Sequence, residues 1–416
     1  MSGSNLPDSA LLRGLTQRRL GRRDALRISG LSALGAALAA CGVQGKATPG
    51  ANLSAAPDVV SKFWTGKAKV GHVDFASWPL YMDPKHPQLK QFTKETGIKV
   101  NYQEVIQEMG PWFAKTQPQL SAGQSIGFDL MIITNSIQFA QFRDSGFLAP
   151  LDHAKLPNFT KNAAAQYSKE AFDPGNAYSV PWASGMTGIA YDPNRTKRPI
   201  TKLADLWDPA FKGKIGMFSD TQELANFGLL KAGVNPAGSA SADWEKAADE
   251  LTKQKPLVRK YYDQSYIDAL SNGEVWLTQA WSGDIFQKNL SDGSDFKFVI
   301  PDEGGTIWTD NMTIPITAEN AFDAIKLMDF FYKPDIAGSL AEYINYITPV
   351  PAAKQKIEQD AAAATGEDKK ALEDLATSPL VFPQEADYAK LHYYRDFVSS
   401  AEQHEYNSIF DPIVTS

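Results

Sequence analysis

Cysteine is almost missing from this chain of 416 residues, which has one, Cys41. One cysteine cannot form a disulfide within a chain, and it leaves no thiol pair for redox chemistry. The five histidines are scattered, with no cysteine beside them, so the spacing of a metal site is absent as well. Neither a metal nor another cofactor is expected.

The common motifs of nucleotide binding and acyl transfer are also missing. There is no GxxxxGK[ST] phosphate loop, and GGTIW, which begins at Gly304, has only a pair of glycines. WASGM, residues 182–186, lacks the first glycine of the GxSxG pattern, and no histidine lies near it in the sequence. The sequence therefore predicts that the protein is not an enzyme.

Positive charge is scarce. Lys and Arg total 41 against 48 Asp and Glu, a net charge of −7. Six of the arginines lie within the first forty residues, so the remainder of the chain is more acidic still. An acidic surface argues against nucleic acid as a partner. It suits a cationic ligand.

The first 41 residues have the pattern of an export signal. Arg22 and Arg23 precede a short apolar run, residues 28–40, which is too brief to span a bilayer and ends at Cys41. The segment resembles a twin-arginine signal followed by a lipobox, LAAC, which would make Cys41 the lipidated first residue of an exported, membrane-anchored protein. Ala25 departs from the usual Phe, so export is better supported than the twin-arginine route. The alternative for Cys41 is a free buried thiol.

The chain after this signal divides into a tether and an α/β protein. Residues 42–66 are small and polar, with the composition of a flexible tether. KVGHVDFASW, residues 69–78, predicts a strand, PQLKQFTKETG a helix closed by Gly97, and IKVNYQEVI a second strand. FDLMII, residues 128–133, is typical of a strand buried on both faces. This order predicts a parallel sheet.

A later extended segment is predicted to connect two domains. YSVPWASGMTGIAYD, residues 178–192, predicts two extended pieces around Gly185 that cross between domains.

A second strand and helix place two acids where ligands commonly bind. A predicted strand follows Gly213, and Asp220 and Glu223 lie just beyond its carboxyl end, at the start of a helix closed by Gly233. Three interpretations stay open. The two acids form a capping box, which the local pattern alone favours, they bind a ligand, or they are a glycosidase pair.

Aromatic residues near Pro or Gly accompany further acids. In the extended stretch GGTIWTDNMTIP, residues 304–315, alternation places Trp308 and Asp310 on the same face. EVWLTQAWSGDIF, residues 274–286, places Trp281 and Asp284 around a glycine. A single aromatic residue is most simply a core residue. An aromatic face beside a carboxylate also suits an organic cation. The aromatic candidates are Trp78, Tyr81, Trp281, Trp308 and Tyr346.

Taken in order, these segments resemble the bacterial spermidine/putrescine-binding proteins, which capture substrate for polyamine ABC importers. The resemblance runs from about Val70 to Tyr346 and more loosely to the C-terminus. It implies an α/β periplasmic-binding-protein-like fold, two lobes joined by crossover hinge strands, with the ligand in the cleft between them. The expected lobes are residues 67–183 plus 312–346 and residues 184–311 plus 347–416. The segments that carry the resemblance are FASWPLY, QFTKETGIKVNY, FDLMII, YSVPW, ADLWDPAFKGKI, SDTQE, WLTQAWSGD, DEGGTIWTDNMTIP and YITPVPAA.

The resemblance also implies roles for individual residues. Asp220 and Glu223 would hold one ammonium end of a polyamine and Asp310 an inner amine, and the five aromatic residues would form a box around the methylene chain. Thr134 stands at the family's serine position, and Ser136 replaces a tyrosine.

Two further positions depart from the family pattern. Asp284 is an additional acid, and Tyr394 stands where the family has a glutamine for the terminal amine. The ligand is therefore putrescine, spermidine or another cation.

The expected partners follow from the same resemblance: a polyamine, the ABC permease, and the membrane through Cys41, with the protein itself a monomer. Three alternatives remain open on sequence grounds. The same fold binds an amino-acid-derived or anionic solute, the chain is a secreted glycoside hydrolase that uses Asp220 and Glu223, or it is a purely structural surface lipoprotein.

Overall fold

The computed structural model describes residues 57–415 except 108, 169 and 398. The predicted export signal, Cys41 and most of the predicted tether lie outside these residues. The described strands are β1 His72–Ser77, β2 Lys99–Glu104, β3 Leu130–Thr134, β4 Ser179–Tyr191, β5 Ile215–Phe218, β6 Val258–Tyr262, β7 Leu277–Trp281, β8 Lys297–Val299, β9 Gly305–Thr313 and β10 Leu391–His392.

One α-helix precedes these strands, and the others lie between and after them. In chain order they are α1 Pro57–Trp64, α2 Pro87–Thr96, α3 Met109–Ser121, α4 Ile137–Asp144, α5 Pro157–Asn162, α6 Pro193–Thr196, α7 Thr221–Lys231, α8 Ser241–Gln254, α9 Tyr266–Ser271, α10 Ser282–Asp292, α11 Ala321–Phe330, α12 Pro334–Ile344, α13 Ala353–Ala363, α14 Gly366–Thr377, α15 Glu385–Tyr388 and α16 Ser400–Thr415. None of the described helices is both long and apolar enough to cross a membrane.

The strands form one mixed sheet with two parallel units and an antiparallel centre. The order is β2-β1-β3-β9-β4-β7-β5-β6, with β10 paired to β9 and β8 to β4. β1 runs parallel to β2 and β3, and β5 runs parallel to β6 and β7. The predicted parallel strand, helix, strand units are confirmed. Between them, β4 and β9 run antiparallel to each other and join the two units.

β4 corrects the prediction of two extended pieces around Gly185. It is one strand of 13 residues, with a register shift between Pro181 and Ala183 where it pairs with β9. Its first part pairs with β9 and its last part with β7 and β8. Because these neighbours supply hydrogen-bond partners along its whole length, the glycine does not interrupt the strand.

A third segment crosses the sheet beside β4. The backbones of Ser184 and Ile347 exchange two hydrogen bonds, each of 2.9 Å. Helix α12 ends just before this segment, and the φ of 56° at its C-cap, Asn345, turns the chain out of the helix. This turn places Tyr346 next to the central strands.

Two large apolar clusters lie at opposite ends of the sheet. One contains Phe75, Ile132 and Met312, and the other contains Ile215 and Trp244. Each is built from the continuous apolar runs of its parallel strands and the inner faces of the covering helices. The sheet continues from one cluster to the other through β4 and β9. The exact lobe boundaries given above stay a prediction.

Candidate ligand-binding site

Asp310 is a buried carboxylate in the middle of β9. It is 2% exposed, and Thr134 lies directly opposite on β3. The Thr134 hydroxyl donates to Oδ1 at 2.5 Å, and the Tyr81 hydroxyl donates to Oδ2. Burial raises the pKa of Asp310 to about 6, because desolvation outweighs the lowering by these two hydrogen bonds. In the described part of the chain, Asp310 forms no ion pair.

Trp308 lies two residues before Asp310, and the predicted alternation puts both on one face of β9. Its indole ring meets the ring of Tyr346 edge-on, with centroids 5.1 Å apart and an interplanar angle of 69°. Gly185 is the residue opposite Trp308 on β4. A Cβ at Gly185 would lie 2.1 Å from Cζ2 of the indole, so only glycine leaves room for this ring.

Asp220 and Glu223 begin helix α7 but have different surroundings. Asp220 is exposed and is the N-cap, and its Oδ1 accepts the backbone N–H of Glu223 at 2.8 Å. The capping interpretation therefore holds for Asp220. The side chain of Glu223 is 4% exposed and faces the sheet. Its Oε1 accepts hydrogen bonds of 2.8 Å from Thr187 and from the Trp281 indole.

The carboxyl group of Glu223 is strongly perturbed. Burial raises its pKa to about 7, against the lowering by hydrogen bonds from Trp281, Tyr394 and Thr187. Oε2 is buried and has no hydrogen-bond partner among the described residues. This oxygen can therefore accept a hydrogen bond from a bound molecule, next to the Tyr394 hydroxyl, which also faces the carboxyl group.

Asp284 lies in the first turn of α10, immediately after β7. Its Oδ2 accepts the Tyr266 hydroxyl at 2.9 Å, and its Oδ1 accepts the Tyr346 hydroxyl at 3.3 Å. The Tyr266 oxygen also accepts the backbone N–H of Trp281 at 3.2 Å. Tyr346 thus connects Asp284 to Trp308, and Tyr266 connects Asp284 to Trp281.

Trp78 follows the end of β1 and is half-buried. Its indole N–H is buried without a partner among the described residues. Trp78 packs against the same apolar cluster as Tyr81 and Trp281, and Trp308 and Tyr346 are members of that cluster. The five predicted aromatic residues therefore share one region of the protein.

The structure collects most of the predicted site in this region. The candidates that it brings together with the five aromatic residues are Thr134, Glu223, Asp284 and Asp310. Asp220 differs from them, because its side chain is exposed at the edge of the region.

Reasoning from sequence missed two members of this network, Thr187 and Tyr266. No local signal marks Thr187, which reaches the site because the pairing of β4 with β7 puts it next to Trp281. Tyr266 begins the short helix α9 and not a strand end, so no motif singles it out. Tyr394 is marked only by its family position, and its hydroxyl faces both Glu223 and Thr187.

The arrangement alternates carboxylates with aromatic rings. The described residues contain no cluster of three or more His, Cys, Asp or Glu that could hold a metal ion. Ring faces and buried carboxylates are instead the groups that bind an organic cation.

Comparison with known proteins agrees with this geometry. The family model described as bacterial extracellular solute-binding protein matches residues 88–366. The chain belongs to this family.

Similar proteins of known function include spermidine/putrescine-binding proteins. The spermidine/putrescine-binding periplasmic protein of Escherichia coli is 33% identical over 69% of this chain and 80% of its own length. Spermidine/putrescine-binding periplasmic protein 1 of Haemophilus influenzae is 32% identical over 85% of this chain and 92% of its own length. The resemblance stated from the sequence segments is confirmed.

A solved structure shows the fold of this solute-binding protein. The substrate-binding protein of a spermidine/putrescine ABC transporter from Streptococcus pneumoniae has a TM-score of 0.70, 25% identity, and covers 83% of this chain and 98% of its own. The fold is that of the periplasmic binding proteins, with two lobes joined by crossover strands and a ligand cleft between them. β4 and β9 are the long central strands of that fold in this chain.

Proposed function

We propose that this solute-binding protein captures a polyamine of the putrescine or spermidine class in its cleft and delivers it to an ABC permease. The observation that carries the proposal is the pair of buried acids, Glu223 and Asp310. Each lies beside an indole ring, and neither forms an ion pair in the described part of the chain. An ionised carboxylate buried without a cation is costly, and an ammonium group of the ligand relieves that cost.

The chemistry of a polyamine matches the sequence of groups along the site. It consists of ammonium groups separated by methylene chains, which require carboxylates at intervals and apolar faces between them. Trp308 and Tyr346 provide such faces between Asp310 and Asp284. Each contact between an ammonium group and a ring contributes about 0.5–2 kcal/mol.

Roles for the acids follow from their burial. Asp310 is the counter-charge of an inner amine, and Glu223 receives a terminal ammonium group at its unpaired Oε2. Asp220 is exposed at the N-terminus of α7, so it adds negative potential at the rim of the cleft, where solvent screens it. Asp284 provides a further charge between these groups.

The proposal includes export, a lipid anchor and the absence of catalysis. The Arg22 and Arg23 pair, the apolar run and Cys41 support an exported protein held at the extracytoplasmic face of the membrane by a lipid on Cys41. The named relatives are transport proteins, and no nucleophile or metal motif accompanies the acids in the sequence.

Titration calorimetry with three ligands of one chain length tests the function. Putrescine is expected to bind at micromolar concentration or tighter, whereas 1,4-butanediol and succinate are not. The diol keeps the methylenes without the charges, and succinate reverses the charges. Binding of succinate in preference to putrescine, or no heat and no tryptophan fluorescence change with either putrescine or spermidine, contradicts the proposal.

The affinity for a polyamine is expected to increase with pH between about 5.5 and 7.5. In the empty cleft burial raises the pKa of Asp310 to about 6 and that of Glu223 to about 7, so both are partly protonated in this range. A bound ammonium group favours the ionised carboxylates, so binding releases protons, and affinity increases by up to about tenfold per pH unit for each proton released. Calorimetry in two buffers of different ionisation enthalpy counts those protons. A flat affinity with no proton release would be the opposite result.

A further inference from the structure

Glu170 is a buried acid behind the ligand site that the proposed function does not use. It lies in the loop before β4 and is 1% exposed. Its Oε1 accepts the hydroxyl of Thr309 at 3.0 Å, and its Oε2 is buried without a partner among the described residues. Thr309 stands between Trp308 and Asp310 on β9, so its side chain points to the opposite face of the strand from theirs.

Thr309 is held from several directions at once. Its N–H donates to Oδ1 of Asn135 at 2.8 Å, and its carbonyl accepts the Asn135 N–H at 2.9 Å. Its carbonyl also accepts the Asn311 side-chain amide at 2.8 Å. Its hydroxyl lies 3.1 Å from that of Ser184, the residue opposite it on β4. Glu170 completes this set of contacts.

We propose that Glu170 is a positioning residue, which fixes Thr309 from behind and so holds Trp308 and Asp310 in place for the ligand. The predicted effect on ligand affinity rests on the proposed function. The contacts between Glu170 and Thr309 do not depend on that function, because both residues belong to this chain. A rotation of the strand at Thr309 would move both neighbours, since adjacent side chains of a strand are fixed relative to each other by the backbone.

The surroundings of Glu170 keep it neutral. No cation is among the described groups that shift its ionisation, and burial raises its pKa to about 8, with the nearby Asp173 raising it further and the Thr309 hydrogen bond lowering it. A neutral carboxyl group accepts from Thr309 without placing a charge behind the crossover strands. The other titratable groups that face it are the tyrosine hydroxyls of Tyr167, Tyr332, Tyr388 and Tyr393.

Binding titrations of Glu170→Ala and Glu170→Gln test the role. Glu170→Ala removes the acceptor for Thr309 and is expected to weaken putrescine binding about tenfold, the effect of losing one buried hydrogen bond. Glu170→Gln retains a carbonyl oxygen as acceptor and is expected to bind within about twofold of wild type at pH 7.

Glu342 provides a matched control. It is 2% exposed, and burial likewise raises its pKa to about 8, but its neighbours are Asp360 and Lys356 on α13 and not β9. Glu342→Ala and Glu342→Gln are expected to leave the affinity at pH 7 unchanged. An equal loss of affinity in Glu170→Ala and Glu342→Ala would overturn the positioning role and indicate a general effect of destabilisation.

Hydrogen exchange in the absence of ligand separates this inference from the proposed function. In Glu170→Ala the peptide containing Thr309 and Asp310 is expected to exchange about tenfold faster than in Glu342→Ala, since the Thr309 N–H is paired with Asn135. Glu170→Gln is expected to exchange as the wild type does. Equal exchange in the two alanine variants overturns the inference. If wild type binds no polyamine, the proposed function fails, and this measurement still decides the role of Glu170.

Discussion

Replacing Asp310 by Asn is expected to weaken polyamine binding by at least about 100-fold, because it leaves a buried ammonium group without its counter-charge, a loss of roughly 3–5 kcal/mol. Asn keeps the size of the side chain and can still accept from Thr134, which donates at 2.5 Å in the wild type. The effect on affinity is therefore one of charge, and titration calorimetry with putrescine and spermidine measures it.

Stability distinguishes this result from misfolding. The pKa of Asp310 is raised in the folded chain to about 6, so the folded state binds more protons than the unfolded state as the pH passes through that range. The contribution of Asp310 to stability is thus greatest at low pH and is lost as the pH rises through about 6. Asp310→Asn carries no such loss, and its free energy of unfolding at pH 8 is expected to be higher than that of wild type by roughly 1–3 kcal/mol.

Asp329→Asn is the control for Asp310→Asn. Asp329 is also largely buried, with its pKa raised by burial, but it accepts hydrogen bonds from Asn158 and Phe159 away from the site. Its replacement is expected to leave the affinity unchanged, because its hydrogen-bond partners lie on α5. Binding of putrescine to Asp310→Asn within about threefold of wild type would refute the assigned role of Asp310.

Gly185→Ala is expected to remove both the packing of Trp308 and the binding of ligand. The added methyl group would lie 2.1 Å from Cζ2 and 2.6 Å from Cη2 of the indole, well inside contact distance. The ring must leave its position against Tyr346 or the central strands must separate. Overpacking of this severity costs about 3 kcal/mol. Chemical denaturation measures the stability, and near-ultraviolet circular dichroism measures the displacement of the indole.

Two further variants make the Gly185 result specific. Gly238 lies in a surface turn, and a Cβ added there would meet no atom within 4 Å, so Gly238→Ala is expected to change stability by less than about 0.5 kcal/mol. The double variant Gly185→Ala/Trp308→Phe has a smaller ring opposite the added methyl group. It is expected to be more stable than Gly185→Ala alone, because the effects of two residues in contact are not additive. Full stability of Gly185→Ala alone would contradict the packing of Trp308 on β4.

Strands and helix ends are largely predictable in this chain because their signals are local. Apolar runs predict β3, Gly97 predicts the end of α2, and Asp220 predicts the start of α7, since each depends on backbone preferences within a few residues. The prediction of β4 as two pieces is wrong because the continuity of that strand depends on pairing with β7, β8 and β9, which are far away in the sequence.

Part of the candidate site is likewise predictable from local sequence. The alternation of GGTIWTDNMTIP places Trp308 and Asp310 on one face, and an unusual association of aromatic rings with acids indicates a cationic ligand. The contacts of Thr187 and Tyr266 with the acids are not predictable, because each joins elements that are brought together only by the sheet order. The same holds for Glu170, which no motif marks.

By itself, the sequence determined the class of protein, a solute-binding protein, and indicated a candidate site that combines acids with aromatic rings, because composition, local patterns and family segments are all properties of the chain. Only the tertiary structure decided that Asp220 stays exposed at the N-cap while Glu223, three residues later, is buried against Thr187 and Trp281. Burial and the partners of a carboxylate determine its charge, and both depend on which distant strands pack around it.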